Sequence, residues 1–265
     1  MINEHKNELF VVTVQPDIVW ENIEQNIKNY SILIDEICEV HPIIDLIILP
    51  EMFTTGFTVN PFEIAENMDG ITINWMKEIA IQNKLAICGS LIITENSKYY
   101  NRFIFVKPDG SVDFYDKRHL FSYAGEHQSF SNGVKKVLIN YKGWKINPYI
   151  CYDLRFPVWC RNTDDVELMI FVANWPNKRI SHWEKLLPAR AIENQCFVIG
   201  VNRVGIDFNN LEYTGKSCIF DALGNEILNM QNREGFDFAI LKKSEIVHIK
   251  TSMPFGKDND TFEIL

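Results

Sequence analysis

Apolar and polar residues alternate along this chain in blocks of two different lengths. Short apolar runs of strand length are separated by longer amphipathic stretches of helical length. The apolar runs predict strands at residues 9–15, 45–51, 85–93, 167–174 and 196–204. The amphipathic stretches predict helices at residues 20–40, 73–84 and 182–195. Strands that alternate with helices in this way are typical of an α/β fold.

Turn signals and a polar C-terminal segment complete the pattern. Pro-Asp-Gly and Lys-Gly turns join β-rich arms within residues 102–117 and 137–153, and a third hairpin surrounds residues 222–224. After one strand-like run, FAILKK, comes a polar tail to which the pattern assigns no fixed structure. Neither a Pro/Gly/Ser-rich linker nor a repeat interrupts the sequence, so we expect a single domain over residues 1–265 with a tail from about residue 251.

Composition and charge limit the classes of protein to which this chain can belong. A chain of 265 residues can bury a sizeable core, and a formal net charge of -9 with a pI near 5.2 disfavours binding to nucleic acid. No run reaches the about 18 apolar residues of a membrane span, and the first residues do not resemble a secretion signal. The cysteines are scattered without a CxxC pair, which argues against a disulfide framework or a zinc site. We therefore expect a cytoplasmic protein with neither a nucleic-acid nor a membrane partner.

Two of the predicted strands end in side chains that can do chemistry. DLIILPE places Glu51 at the carboxyl end of one strand, and KINPYICYD places Cys151 at the end of another. An open α/β sheet binds its ligands at this edge. A thiol at a strand exit can be partly exposed, and a neighbouring carboxylate can take its proton, as a cysteine nucleophile requires. Alone, such a glutamate is more often a helix cap or a surface charge, and a lone cysteine is more often a core residue.

A lysine and a second carboxylate lie between these two residues in the sequence. Lys117, in DFYDKRHLF, would stay charged beside Glu51, lower the pKa of the Cys151 thiol and face the oxyanion that forms when the thiol attacks a carbonyl. Glu126, in SYAGEHQSF, could hydrogen-bond to Lys117 or steer the leaving group and water. Without further support, a solvated strand-end lysine and a loop glutamate are the simpler interpretations.

Three segments carry a resemblance to a known family. They are LPEMFTTGF around Glu51, YDKRHLFSYAGEHQSF around Lys117 and Glu126, and ICYDLRFP around Cys151. In this order and approximate spacing they resemble the carbon-nitrogen hydrolases of the nitrilase superfamily. A fourth segment, residues 173–205, is similar to the omega-amidase branch, and the likeness covers nearly the whole chain. The resemblance implies a four-layer α-β-β-α sandwich that pairs across its helices, so we expect a homodimer, which light scattering would test.

The resemblance also implies a mechanism that needs neither a metal nor an organic cofactor. Glu51 corresponds to the general base, Cys151 to the nucleophile, Lys117 to the cation that stabilises the tetrahedral intermediate, and Glu126 to the family's second glutamate. The backbone N–H of Tyr152, next to the nucleophile, is expected to be the other oxyanion donor. The resulting thioester is hydrolysed by a water that the same carboxylate activates.

For the omega-amidase branch, the implied substrates are the small amides 2-oxoglutaramate and 2-oxosuccinamate. Their terminal amide is hydrolysed to give a 2-oxo acid and ammonia, and their free carboxylate requires a positive or donor-rich wall. The arginines available for that wall are Arg118, Arg155 and Arg203. The aromatic candidates for the pocket are Trp175, Phe53 and Phe57. The simpler interpretations are that Arg155 pairs with Asp153 and that the aromatic residues belong to the core.

Other functions stay open at this point. A Cys-His hydrolase would need one of three histidines, His119, His127 or His182, beside Cys151, although none lies in a motif typical of such enzymes. Another amidase, a nitrilase or an N-carbamoyl hydrolase of the same superfamily is a second alternative. A catalytically silent scaffold of the same fold is a third, since a fold does not guarantee a function. Ammonia release that is lost in Cys151→Ala would separate an enzyme from a scaffold.

Overall fold

The structure is a computed structural model that describes residues 7–41 and 43–264. Its strands are β1 (Glu8–Gln15), β2 (Leu46–Ile48), β3 (Ala86–Glu95), β4 (Lys98–Val106), β5 (Val112–Asp116), β6 (Ile139–Tyr141), β7 (Trp144–Ile150), β8 (Leu168–Val172), β9 (Phe197–Val201), β10 (Val204–Ile206), β11 (Glu212–Thr214), β12 (Cys218–Phe220), β13 (Glu226–Asn229) and β14 (Gly235–Lys242). Its helices are α1 (Ile23–Val40), α2 (Ile71–Asn83), α3 (Glu126–Ser129), α4 (Ile180–Asn194) and α5 (Lys243–Ser252).

The strands form two large sheets and one small hairpin. The first sheet has the order β14-β1-β2-β3-β4-β5, the second has the order β13-β12-β9-β8-β7-β6, and β10 pairs with β11. The inner strands β1, β2 and β3 run parallel, as do β7, β8 and β9. Because parallel strands end at the same edge, the residues that follow β2 in one sheet and β7 in the other can meet at one end of the molecule.

Alternation along the strands separates the layers. In β1, Val12 and Val14 pack with apolar residues of α1 and α2 on the outer face of the first sheet. Leu9 and Val11 point the other way, into a core shared with the second sheet and with α4, where Trp183 is fully buried. Successive side chains of a strand face opposite sides, so each strand contributes to two layers of core. The result is the four-layer α-β-β-α sandwich implied by the resemblance, and that prediction is confirmed.

The helices differ from the prediction at their ends and at the C-terminus. α1 begins at Ile23, three residues later than expected, because the side chain of Asn22 accepts a hydrogen bond from the Gln25 backbone N–H at 3.0 Å and caps the helix. The sequence pattern assigned no fixed structure to the segment after FAILKK, but α5 forms there and buries Ile246 and Ile249. Among the described helices, none is both long and apolar enough to cross a membrane.

Candidate active site

Glu51 and Cys151 lie in tight turns that follow strands. Glu51 follows β2 and Cys151 follows β7, where it opens a short 3-10 turn, Cys151–Arg155. Cys151 itself has a left-handed backbone with φ of 45°, and Met52, directly after Glu51, has φ of 43°. Residues other than glycine adopt this conformation at a cost, so the packing around both turns must hold them. Lys117 directly follows β5, and Glu126 is the first residue of α3 rather than part of an irregular loop.

The lysine lies between two carboxylates in the interior. Lys117 Nζ donates to Glu51 Oε1 at 2.9 Å and lies 3.0 Å from both carboxylate oxygens of Glu126. All three side chains are excluded from solvent. The other oxygen of Glu51 accepts a hydrogen bond from the backbone N–H of Asn174 at 2.8 Å. The structure therefore brings together the residues that the sequence singled out, and Cys151 lines the same pocket as Lys117.

Two further polar residues hold this cluster, and the sequence analysis missed them. Asn101 Nδ2 donates to Glu51 Oε1 at 2.8 Å and to Glu126 Oε1 at 3.3 Å. Its Oδ1 accepts from Ser90 Oγ at 2.8 Å, and Ser90 Oγ in turn accepts from the Met52 N–H. Both residues interrupt the apolar faces of β3 and β4, and a buried polar residue within a strand was the signal that could have revealed them.

Burial and charge set the protonation of the cluster. Burial lowers the pKa of Lys117, but the charges of Glu126 and Glu51 more than offset this effect, so the pKa is raised and the ammonium persists. Burial raises the pKa of Glu126, against the lowering effect of Lys117. Burial, followed by the charge of Glu51, raises the pKa of the Cys151 thiol well above its ordinary value of 9.0, although Lys117 acts in the opposite direction. Lys117 therefore lowers the pKa of the Cys151 thiol, as the sequence indicated, but burial and the charge of Glu51 outweigh this effect.

A pocket that is partly open to solvent lies at the thiol. Two of the predicted aromatic residues, Phe57 and Trp175, line it, and Tyr152 follows Cys151 in its wall. Tyr152 is the second residue of the turn Cys151–Arg155, where backbone N–H groups have no partner within the turn itself. Arg155 lines the pocket as predicted, and Arg179, which was not predicted, lines it as well.

Three other predicted pocket residues lie elsewhere. Phe53 is fully buried against Tyr30 and Trp75 on the helical side of the first sheet. It occupies space left by Gly89 of β3, where an added Cβ would come within 2.7 Å of its ring.

The two remaining arginine candidates also lie outside the pocket. Arg203 is buried and ion-paired with Asp17 at 2.6 Å. Arg118 lies over the ring of Trp159, 5.2 Å from its centroid. Both are corrections to the sequence analysis. The pairing of Arg155 with Asp153 is also not found, because Asp153 bonds to Tyr115 and His119.

Among the described residues, neither the histidines nor the possible metal ligands form a second kind of catalytic site. His119 Nδ1 bonds to Asp153, and His182 Nδ1 lies 3.1 Å from Arg155 Nη1. Within the part of the chain that the structure describes, no histidine hydrogen-bonds to Cys151, which removes the geometric basis for a Cys-His hydrolase. Over the same residues, no group of three or more His, Cys, Asp or Glu side chains is arranged to hold a metal ion.

Comparison with known proteins agrees with this geometry. The family model for carbon-nitrogen hydrolases matches residues 11–236. The chain belongs to the carbon-nitrogen hydrolase family. It is therefore a hydrolase of carbon–nitrogen bonds, and a scaffold without turnover is not supported.

Individual relatives make the likeness specific. Omega-amidase YafV of Yersinia enterocolitica is 44% identical over 216 residues, covering 82% of each chain. A 2-oxoglutaramate amidase of Bacillus subtilis is 34% identical over 250 residues, covering 92% of this chain and 95% of the relative. The crystal structure of XC1258 from Xanthomonas campestris, a CN-hydrolase superfamily protein with an arsenic adduct in its active site, superposes with a TM-score of 0.94 at 38% identity, covering 97% of this chain and 99% of that one.

Proposed function

We propose that this protein is an omega-amidase, which hydrolyses the terminal amide of 2-oxo dicarboxylic acid monoamides such as 2-oxoglutaramate and 2-oxosuccinamate. The relatives from Yersinia enterocolitica and Bacillus subtilis support the reaction by their names. The observation that carries the proposal is the content of one pocket. Cys151 and Lys117 line it together with two arginines, so an amide and a carboxylate can be bound in the same small space.

The two arginines of the pocket each lie over an aromatic ring. Among residues 7–41 and 43–264, neither Arg155 nor Arg179 forms an ion pair with Asp or Glu. The guanidinium of Arg155 lies 4.7 Å from the ring centroid of Trp175, and that of Arg179 lies 5.0 Å from the ring centroid of Phe121. Burial, and next the nearby charge of Arg179, lowers the pKa of Arg155. A substrate carboxylate would relieve this repulsion and bond to a fork of N–H donors.

In the first half of the reaction, Glu51 takes the proton from the Cys151 thiol as sulfur attacks the amide carbon. The oxyanion is stabilised by the ammonium of Lys117 and the backbone N–H of Tyr152. When the C–N bond breaks, Glu51 returns the proton to nitrogen, ammonia leaves, and a thioester remains on Cys151. A resting thiol with a raised pKa fits this order, because a base must act at the moment of attack.

In the second half, water replaces ammonia. Glu51 removes a proton from the water as oxygen attacks the thioester carbon, and the same two donors stabilise the second oxyanion. The C–S bond then breaks, the sulfur regains a proton from Glu51, and the 2-oxo acid leaves. Glu126 keeps Lys117 charged and in place, since both of its oxygens lie 3.0 Å from the ammonium.

A panel of substrates tests the proposal directly. We expect purified protein to release ammonia from 2-oxoglutaramate and 2-oxosuccinamate, and much more slowly from glutamine, asparagine, a simple nitrile and an N-carbamoyl amino acid. Coupled detection of ammonia provides the measurement. Preferred turnover of the nitrile or of the N-carbamoyl compound would contradict the substrate assignment while retaining the nucleophile.

Charge removal at the arginines is expected to affect substrate binding. Arg155→Ala and Arg179→Ala should each raise KM for 2-oxoglutaramate about tenfold or more, since a hydrogen-bonded charge contributes roughly 1.5–3 kcal/mol. Neither variant should change kcat/KM for a short uncharged amide by more than about threefold, because that amide has no carboxylate for the guanidinium to bind. Arg233→Ala, at a half-exposed arginine paired with Asp237, is the matched control. Equal losses on both classes of substrate would contradict the role.

A further inference from the structure

A second buried carboxylate lies directly behind the nucleophile. Asp153 is two residues after Cys151 in the same 3-10 turn and is fully excluded from solvent. Its Oδ2 accepts from the backbone N–H of Ile150 at 3.1 Å, which fastens the two ends of the turn around Cys151. The strand β7 belongs to the second sheet, but the other hydrogen bonds of this carboxylate go to residues outside that sheet.

The other partners of Asp153 come from the segment that carries Lys117. Tyr115, two residues before the lysine, donates its hydroxyl to Asp153 Oδ2 at 2.8 Å. His119, two residues after it, donates its backbone N–H to Oδ1 at 3.0 Å and contacts the same oxygen through Nδ1 at 2.8 Å. Each carboxylate oxygen therefore has two partners. Three of the four contacts reach the edge of the first sheet on both sides of Lys117.

The surroundings hold this contact rigidly. The His119 ring stacks on Phe156, with centroids 3.7 Å apart and planes 6° apart. The Tyr115 hydroxyl, while donating to Asp153, accepts from Trp159 Nε1 at 3.0 Å and from the Arg118 backbone N–H at 3.1 Å. The phenol therefore cannot turn away without leaving two donors unpaired, which is costly in a buried site.

We propose that Asp153 is a positioning residue that fixes the nucleophile turn against the lysine segment. Lys117 follows a strand of the first sheet and Cys151 follows a strand of the second. A carboxylate shared by both segments therefore sets how close the ammonium is to the developing oxyanion. The inference rests on the proposed roles of Cys151 and Lys117. It concerns neither substrate recognition nor proton transfer, because Asp153 does not line the pocket.

Asp153→Asn is the first test. An amide in either orientation turns an NH₂ group toward a backbone N–H, that of His119 or that of Ile150, so the turn and the lysine segment should separate. We expect kcat for amide hydrolysis to fall about a hundredfold while KM stays within about threefold, because a small misplacement of reacting groups affects the chemical step most.

The pH midpoint for alkylation of Cys151 by iodoacetamide should move down toward 9.0, since a loosened turn relieves the burial and the Glu51 charge that raise the thiol pKa. Peptide mass spectrometry measures this rate, with Cys38, partly buried on α1, as the reference in the same molecule.

Asp45→Asn is the matched control. Asp45 is also buried and also connects the two sheets, through Lys142, but it precedes β2 at the opposite edge. We expect it to lower the melting temperature without changing kcat or the alkylation midpoint. Equal effects of the two variants on kcat and on the midpoint would overturn the proposal, because Asp153 would then act only through stability.

A second pair of variants covers the case in which Asp153→Asn does not fold. His119→Leu removes the Nδ1 contact and leaves the backbone donor, whereas His119→Asn keeps a side-chain donor at nearly the same position. We expect kcat to fall about tenfold in His119→Leu and to recover in His119→Asn, although both lose the stack on Phe156. Equal loss in both variants would overturn the proposal. The alkylation measurement does not depend on hydrolysis of any substrate, so it distinguishes failure of this inference from failure of the proposed substrate.

Discussion

Cys151→Ala should abolish ammonia release, with a loss of about 10⁵-fold or more in kcat, because a covalent mechanism has no substitute for its nucleophile. The fold should be retained, since the side chain is small, lies at the floor of an open pocket and makes no hydrogen bond that holds the turn. Circular dichroism and melting temperature would check the fold, and coupled detection of ammonia would check the rate.

Cys38→Ala provides the matched control for this loss. Cys38 is also a partly exposed free cysteine, but it lies on α1, on the outer side of the first sheet. Its replacement should leave kcat unchanged. Turnover above about one hundredth of the wild-type rate in Cys151→Ala, in a preparation free of contaminating amidase, would reject the covalent mechanism.

Glu51→Gln should separate two properties that normally change together, the rate of hydrolysis and the reactivity of the thiol. Hydrolysis should fall by about 10²–10⁴-fold, the usual contribution of a general base. The thiol pKa should fall as well: Glu51 raises it through its negative charge, and Lys117, which lowers it, would remain. At neutral pH a larger fraction of Cys151 is then ionised, so alkylation by iodoacetamide should become faster while catalysis becomes slower.

The pH dependence of alkylation measures this directly. In the wild type the rate should still be rising above pH 9.0, the ordinary pKa of the thiol, whereas in Glu51→Gln the midpoint should lie lower. Glu167→Gln is the control, since Glu167 pairs with Lys243 at 2.9 Å, the same distance as in the Glu51–Lys117 pair, but away from the pocket. A midpoint that rises in Glu51→Gln would contradict the electrostatic account of the site.

The sequence placed Glu51 and Cys151 at strand ends, and the resemblance to the carbon-nitrogen hydrolases singled them out as candidates. Glu51 and Cys151 each follow an apolar run, and that pattern is visible without a structure. The distances among them depend on how two separate sheets pack, which no spacing along the chain encodes. The buried amide of Asn101, which joins both carboxylates, was missed for the same reason: its partners are 50 and 25 residues away in sequence.

The direction of the side chains near the pocket could not be predicted from the sequence either. Arg118 is adjacent to Lys117, yet it lies over Trp159 outside the pocket, because the chain bends at Arg118 soon after β5 ends. Arg179 gave no signal in its own segment and reaches the pocket because it precedes α4. The helix α5 was missed because only two of its residues, Ile246 and Ile249, are buried, and contacts elsewhere in the fold stabilise it.

The pairing of the first strand with the last has a consequence for synthesis of the protein. β1 lies between β14 and β2, and its register with β14 runs unbroken from Glu8 opposite Lys242 to Gln15 opposite Gly235. While a ribosome is still translating the chain, β1 has one row of backbone groups without its eventual partner, and an unpaired edge of this kind invites pairing with other chains. Premature termination before codon 235 would leave that edge permanently open, so truncated products are expected to aggregate or be degraded rather than accumulate as smaller folded proteins.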